Sequence, residues 1–199
     1  MDKIGEYRFL EKEAFKLGCT DASVILADQV VVENRVRLKC MVGCPTYGKN
    51  LKCPPYTPSI EEFRNILNEY SFAMVVKFKG PDIIKEGETK FWRDFDESSI
   101  TWSKISHYYK DMLTILLELE RTAFNKGYTY ATVFFAGRCK LCDECNIEEG
   151  CLNPIMARFS AEAMGINVLK TSENAGITLK FKTEDNSAQI TPIAVLLID

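Results

Sequence analysis

The sequence predicts an α/β fold in which a mixed sheet is flanked by helices and carries two cysteine-bearing loops. Segments with apolar residues at helical spacing alternate with short apolar runs of strand length. The chain has 199 residues, of which 46% are apolar, and this is enough to bury an ordinary core. We therefore expect a single α/β domain over residues 1–199, with metal- or cluster-binding loops at 40–53 and 139–151.

The N-terminal part predicts a helix, a strand and a loop. Residues 4–17 carry apolar side chains at helical spacing, and Gly18 ends the pattern. Residues 22–32 are rich in Val and Ile, which is typical of a strand or of a hairpin with a turn near Asp28. Residues 39–58 are polar and rich in Gly and Pro, and they predict a loop that contains the first cysteine group.

The middle of the chain predicts two helices around a strand. Its Ser-Ile-Glu-Glu motif is a capping box that opens a helix over 59–70. Residues 72–78 are an apolar run of strand length. Residues 80–99 are rich in charged residues and interrupted by Gly and Pro, which is typical of an excursion from the fold or a lid. A long helical stripe over 105–127 ends in a Lys-Gly stop signal.

The C-terminal part predicts three strands and one helix. A strand over 130–136 leads directly into the second cysteine group, which places that group at the carboxyl end of a strand. An Asn-Pro pair predicts the start of a helix over 153–165, and short strands are predicted at 166–169 and 190–198.

Composition excludes several classes of function. The formal charge is −3, from 25 basic and 28 acidic residues without a long run of either sign, so nucleic acid is not an expected partner. No stretch approaches the roughly 18 apolar residues of a membrane helix, and the N-terminus has no signal region, so we expect a cytoplasmic protein. The single histidine, His107, falls in a predicted helix, where a packing or surface role is expected rather than catalysis.

The second cysteine group is the strongest functional signal. Cys139, Cys142, Cys145 and Cys151 lie in RCKLCDECNIEEGC with C-x2-C-x2-C-x5-C spacing. Three cysteines at consecutive two-residue gaps are typical of a [4Fe–4S] site, and a fourth beyond a short loop completes the cage. A structural zinc site usually uses two separated pairs, which makes zinc the second choice.

Disulfides and inert thiols are the alternatives to metal binding. Seven of the eight cysteines fall within 40–53 and 139–151, which is not the distribution of incidental buried thiols. The chain is long enough to fold without stabilising disulfide bonds and carries no secretion signal, which argues against a disulfide framework. Cys19 stands apart, directly after a predicted helix, and a buried structural thiol is the favoured interpretation for it.

The first cysteine group is one ligand short. Cys40, Cys44 and Cys53 have C-x3-C-x8-C spacing in a Gly/Pro-rich segment that metal binding would organise. The fourth ligand is left open: Cys19, another residue type, a partner or a small molecule. With Cys19 the chain would hold two complete sites, as in an electron-transfer protein; without it, an open position would suit an enzyme.

Charged and polar neighbours suggest how the second group could be tuned. Cys151 precedes the predicted helix at 153–165, whose N-terminus would favour a negative cluster. Arg158 and Glu162 have the spacing of a surface pair on that helix. Further residues close in sequence are candidates for raising a cluster's potential or donating hydrogen bonds to it: Arg138, Lys140, Arg158 and Asn146.

These motifs resemble a known family. The first is C-x3-C-x-x-Y-G-x4-C-P-P; the second is C-x2-C-x2-C-x5-C-x-x-P, followed by R-F-S-A-E-A-M-G-I. Together they are similar to the prokaryotic predicted metal-binding proteins of domain of unknown function 2284, over about residues 35–170. The resemblance implies a cytoplasmic metal or iron–sulfur protein, common in anaerobes, without a known reaction. It carries the metal role onto Cys40, Cys44, Cys53, Cys139, Cys142, Cys145 and Cys151.

Three functions follow as hypotheses. The first is an iron–sulfur protein with one or two [4Fe–4S] clusters that transfers electrons or serves as a redox subunit for a protein partner. The second is a metalloenzyme with an open coordination position at the three-cysteine group. The third is a zinc-stapled interaction module. The sequence does not decide whether the two groups form one site, nor the oligomeric state.

Overall fold

The computed structural model describes residues 3–81, 100–179 and 191–199. The excursion or lid predicted at 80–99 lies outside these residues, apart from its first two positions. Within them, the predicted combination of a sheet with flanking helices and two cysteine-bearing segments is confirmed.

Four strands form one sheet in the order β1-β2-β4-β3, and each neighbouring pair is antiparallel. Met74 of β2 lies opposite Val24 of β1 and Leu196 of β4. The two central strands are apolar along almost their whole length because both of their faces are covered. The strands are β1 (Asp21–Leu26), β2 (Phe72–Lys77), β3 (Thr132–Phe134) and β4 (Ile193–Leu197).

The described residues also include five α-helices and three short 3₁₀ helices. The α-helices are α1 (Arg8–Lys16), α2 (Asn34–Gly43), α3 (Ile60–Leu67), α4 (Ile100–Phe124) and α5 (Val168–Asn174). The 3₁₀ helices are Lys3–Tyr7, Ala27–Gln29 and Glu162–Met164.

The helices form a layer on each face of the sheet. On one face, α1 and α4 bury Leu10 and Leu116 against Met74. On the other face, α3 and the 3₁₀ helix Glu162–Met164 bury Phe63 and Met164 in a second cluster. Alternate residues of a strand point to opposite faces, so neighbouring strand residues enter different clusters. No α-helix in the described part of the chain is long and apolar enough to span a membrane.

The predicted capping box at the start of α3 is confirmed. The Glu62 amide donates to Ser59 Oγ at 3.1 Å, and the Ser59 amide donates to Glu62 Oε2 at 2.7 Å. Two backbone donors at the helix start are thereby satisfied, which fixes where α3 begins.

The loop predicted at 39–58 is wrong at its start, because α2 continues to Gly43 and places Cys40 on a helix. None of the side chains of α2 is buried, so the helix lacks the apolar stripe that would have revealed it. Its sequence is nevertheless compatible with a helix, since Arg, Leu, Lys and Met are good helix formers.

The helix predicted over 153–165 is wrong. The Phe135 amide donates to the Phe159 carbonyl at 3.1 Å, and the Ala161 amide donates to the Phe135 carbonyl at 2.9 Å. These bonds use backbone groups that a continuous helix would need, and only the 3₁₀ helix Glu162–Met164 forms. Cys151 therefore does not precede a helix N-terminus, and the helix-dipole argument does not apply to it.

The strand predicted at 166–169 is also wrong. Ile166 makes an isolated antiparallel bridge to Val32, and α5 begins at Val168. Asn167 caps this helix by accepting a hydrogen bond from the Lys170 amide at 3.2 Å.

Candidate metal centre

The four cysteines of the second group line one cavity. The chain leaves the edge strand β3, turns at Gly137 with a φ of 72°, and then follows an irregular path of turns through Cys151. The four thiols are half-buried. The cavity lining includes Cys139, Cys142, Cys145, Cys151, Leu141, Asn146, Leu152, Asn153 and Ala157, together with Asn50, Leu51 and Lys52.

Hydrogen-bond donors point at sulfur atoms in this cavity, among them the Leu141 backbone, which partly offsets the raised pKa of Cys139. The Leu51 amide donates to Cys145 Sγ at 3.4 Å, and the Asn153 side-chain amide donates to Cys142 Sγ at 3.1 Å. Such donors stabilise the thiolate form that a metal requires. Asn146, an expected donor, instead bonds Glu149 through both its side-chain oxygen and nitrogen.

The thiols of the first group come together from a helix and a loop. Cys40 lies in the last turns of α2, Cys44 follows its end, and Cys53 lies in the loop between α2 and α3. Burial raises the pKa of Cys40 to about 11, and Cys44 is among the neighbours that raise it further. Burial likewise raises the pKa of Cys53 to about 12, with further contributions from Cys44 and Cys40.

The two cysteine groups are adjacent. Residues 50–52 of the first loop line the cavity of the second group. The Asn50 side chain donates to the Cys139 carbonyl at 3.2 Å, and the Cys139 thiol is near enough to contribute to the raised pKa of Cys53. The first loop is thus part of the wall around the second group.

The thiols of the two groups lie in the same region of the protein, but they are not yet arranged as the ligands of a bound metal. Among residues 3–81, 100–179 and 191–199, no three His, Cys, Asp or Glu side chains already stand in an arrangement that could hold a metal ion. Burial also raises the pKa of Cys139, which favours the protonated thiol before metal binds. Metal binding would have to release such protons and draw the sulfur atoms together.

Comparison with known families identifies the family of this chain. A family profile described as "Predicted metal-binding protein (DUF2284)" matches residues 23–198. The chain belongs to this family. The match includes all seven cysteines of the two groups and leaves out Cys19. No curated protein and no solved structure matches this DUF2284 chain.

In this DUF2284 protein, Cys19 is a core residue of the first cluster, against which Cys139 of the second group also packs. Its side chain is buried in the cluster between α1, α4 and the sheet. Burial raises its pKa to about 11, and no other thiol contributes to that shift. A structural role for this thiol agrees with its position.

Charged residues near the second group also have defined positions. Arg158 does not pair with Glu162 as predicted; it forms a bidentate ion pair with Glu120 of α4, with Nη2 to Oε2 at 2.6 Å. Lys140 Nζ lies 5.5 Å from the centre of the Tyr109 ring, and Arg138 lowers the raised pKa of Cys53. His107 is on the exposed surface of α4, 3.9 Å from Asp111, so the expected surface role agrees with its position.

Three contributors to this region were missed in the sequence. The Leu51 amide carries no side-chain signal, and Asn153 was assigned to a helix cap that does not form. Glu162 was assigned to the surface, whereas its carboxyl is enclosed. Glu162 belongs to the R-F-S-A-E-A-M-G-I part of the family motif, and Leu51 and Asn153 are within two residues of motif cysteines; these positions are the sequence signals that could have indicated them.

Proposed function

We propose that this DUF2284 protein is an iron–sulfur protein whose Cys139, Cys142, Cys145 and Cys151 hold a [4Fe–4S] cluster. The observation that supports it most is that all four thiols of the C-x2-C-x2-C-x5-C motif line one cavity. A cluster bound there would supply one-electron redox chemistry. The role we propose is electron transfer or service as a redox subunit.

The chain's own groups would set the potential of that site. The Leu51 amide and the Asn153 side chain donate to two of the sulfur atoms. Such bonds stabilise negative charge on sulfur and favour the reduced state. Lys52 also lines the cavity and adds positive charge on its first-loop side.

The surroundings of the cavity suit exchange with a protein partner. Leu152, on the cavity wall, is 66% exposed, and Ile155 nearby is 85% exposed. Exposed apolar residues beside a half-buried redox site provide a docking surface from which electrons have a short distance to travel. A redox protein is therefore the partner class we propose.

Anaerobic purification tests the proposal. We expect visible absorption that bleaches on reduction, with about four irons and four sulfides per cluster. Replacing Cys142 and Cys145 together by Ala should abolish the cluster on the second group, whereas the matched Cys19→Ala variant should retain it. A colourless protein with stoichiometric zinc and no sulfide would show that the site is a zinc staple.

A second candidate function is supported by the first cysteine group. Cys40, Cys44 and Cys53 lie near one another, with Cys139 of the second group also near Cys53, whereas Cys19 lies in the core cluster around α1 and α4. Three thiolates leave one coordination position for a non-thiolate ligand, and in a metalloenzyme a substrate would bind at that position. A spectrum of the bound metal that shifts on adding a small acid or thiol would support this function; closure of the site by four protein thiolates would exclude it.

A further inference from the structure

We propose that Glu162 supplies a carboxylate oxygen as the fourth protein ligand to a metal held by Cys40, Cys44 and Cys53. This inference rests on metal binding by the first cysteine group. It makes that group a mixed Cys₃Glu site, distinct from the all-thiolate second group. It identifies a residue of this chain for the ligand position that the cysteine spacing leaves open.

The packing of α2 brings Glu162 and Cys40 together. Arg37 of α2 donates a hydrogen bond to the Ala163 carbonyl, so this face of the helix lies against the 3₁₀ helix that Glu162 begins. Cys40 comes three residues after Arg37, which places it on the same face of α2. Glu162 accordingly appears among the groups that raise the pKa of Cys40, after burial and Cys44.

The Glu162 carboxyl is enclosed but incompletely bonded. Its Oε2 atom is shielded from solvent and has no hydrogen-bond partner in the described residues. Backbone amides of Glu162 and Gly137 and the Ser160 side chain interact with the carboxyl, so it is held in place while one oxygen stays without a partner. An enclosed acceptor without a partner is costly, and coordination to a metal would remove that cost.

Positive charge around the carboxyl suits a ligand role. Lys39 partly offsets the burial-raised pKa of the Glu162 carboxyl, and Lys39 and Arg37 both do so for the Cys40 thiol. The Nε atom of Arg37 is also buried without a partner in the described part of the chain. Three thiolates and one carboxylate carry four negative charges, so a divalent metal leaves a net negative site that these cations would compensate.

The ligand type also has a chemical consequence. Thiolates are soft ligands and bind borderline metals such as Zn²⁺ or Co²⁺ firmly, whereas a carboxylate is hard and exchanges more readily. Glu162 would hold the fourth position in the resting protein and would be the first ligand to leave when a substrate binds. This links the proposed ligand to the metalloenzyme alternative.

Cobalt binding tests the role of Glu162 directly. The full chain with Cys142→Ala and Cys145→Ala serves as the background, so that only the first group has its full set of thiols. We expect about one Co²⁺ per chain with the visible bands of a tetrahedral thiolate site. Glu162→Gln should weaken Co²⁺ binding roughly 10–100-fold, and Glu162→Cys should restore it with stronger sulfur-to-cobalt absorption.

The controls separate a ligand from a structural residue. Glu173→Gln, which changes an exposed carboxyl on α5, should leave affinity and spectrum unchanged. Circular dichroism checks that each variant folds, and the spectral change in Glu162→Cys would not arise if Glu162 only supported packing. Glu162→Gln with unaltered Co²⁺ affinity and spectrum, or a background protein that binds no Co²⁺, would overturn the inference.

A separate variant keeps this test independent of the [4Fe–4S] proposal. Replacing Cys40, Cys44 and Cys53 by Ala leaves only the second group to hold iron and sulfide. If this variant binds iron and sulfide and Glu162→Gln does not change cobalt binding, the proposed Glu162 ligand is rejected and the proposed cluster is supported. If the variant binds no iron and sulfide and Glu162→Gln weakens cobalt binding, the proposed cluster is rejected and the Glu162 ligand is supported.

Discussion

At the scale of single residues, Glu120 connects the long helix α4 to both the sheet and the cysteine segment. Its Oε1 accepts a hydrogen bond from the Val133 amide of β3 at 2.6 Å. The same carboxylate receives the Arg158 guanidinium, whose Nη1 donates to the Ile155 carbonyl at 2.8 Å. The Glu120 carboxylate thus holds residues 155–158, which follow the second cysteine group, against the edge strand β3.

Removing Arg158 should therefore be costly. The side chains of Arg158 and Glu120 are only 23% and 11% exposed, so Arg158→Ala leaves a buried carboxylate without its main partner. We expect a loss of about 3–5 kcal/mol in the free energy of unfolding, measured by urea denaturation. The matched control is Arg121→Ala, which breaks the exposed Arg121–Glu118 pair and should cost about 0–1 kcal/mol. Equal effects of the two substitutions would contradict the structural role of Glu120.

At the scale of elements, Gly165 is the point where three helices meet. It ends the 3₁₀ helix Glu162–Met164 with a φ of 80°, and its carbonyl accepts the Glu33 amide at the start of α2. A Cβ at this position would lie 3.1 Å from the side chain of Ile60, the first residue of α3. Glycine is required here by both its backbone conformation and the close packing.

Gly165→Ala should destabilise the fold, whereas Gly43→Ala should not. The left-handed conformation alone costs a non-glycine residue about 1–2 kcal/mol, and contact with Ile60 adds to this. Gly43 lies in α2 with ordinary backbone angles and open space around it, so alanine there should be neutral or stabilising by up to about 1 kcal/mol. Thermal unfolding of both variants in the same metal state makes the comparison. Similar melting temperatures for the two would show that α2, α3 and the 3₁₀ helix are not held together at Gly165.

At the scale of the whole molecule, the sequence predicted those elements whose structure depends on nearby residues or on burial. Strands β2 and β4 are apolar because both faces are covered, and α3 is marked by its own capping box. The helix α2 buries no side chain and so leaves no apolar pattern. The error at 153–165 arose because pairing with Phe135, distant in sequence, overrides a local Asn-Pro signal.

The sequence likewise predicted only part of the candidate site. Cysteine spacing alone predicts both groups as candidate ligands, and the chain's membership of the DUF2284 family agrees with metal binding. The adjacency of the groups, the sulfur-directed donors and the enclosed Glu162 all depend on contacts between distant segments. No periodic pattern encodes such contacts, so they required the structure.

Metal removal should loosen the cysteine segments and leave the sheet intact. No residue from 139 to 156 is buried, so this segment lacks an apolar core that would hold it in place without metal. The side chains of β2 and β4 are buried in clusters on both faces, and the cysteines that belong to these clusters or pack against them are the buried Cys19 and the partly buried Cys139. We expect chelation to speed amide hydrogen exchange in residues 44–57 and 139–157, with little change in the two central strands. Loss of protection throughout β2 and β4 would instead indicate a metal-stapled module in which the ligands hold the whole fold together. Unchanged exchange in the cysteine segments would show that metal does not organise them.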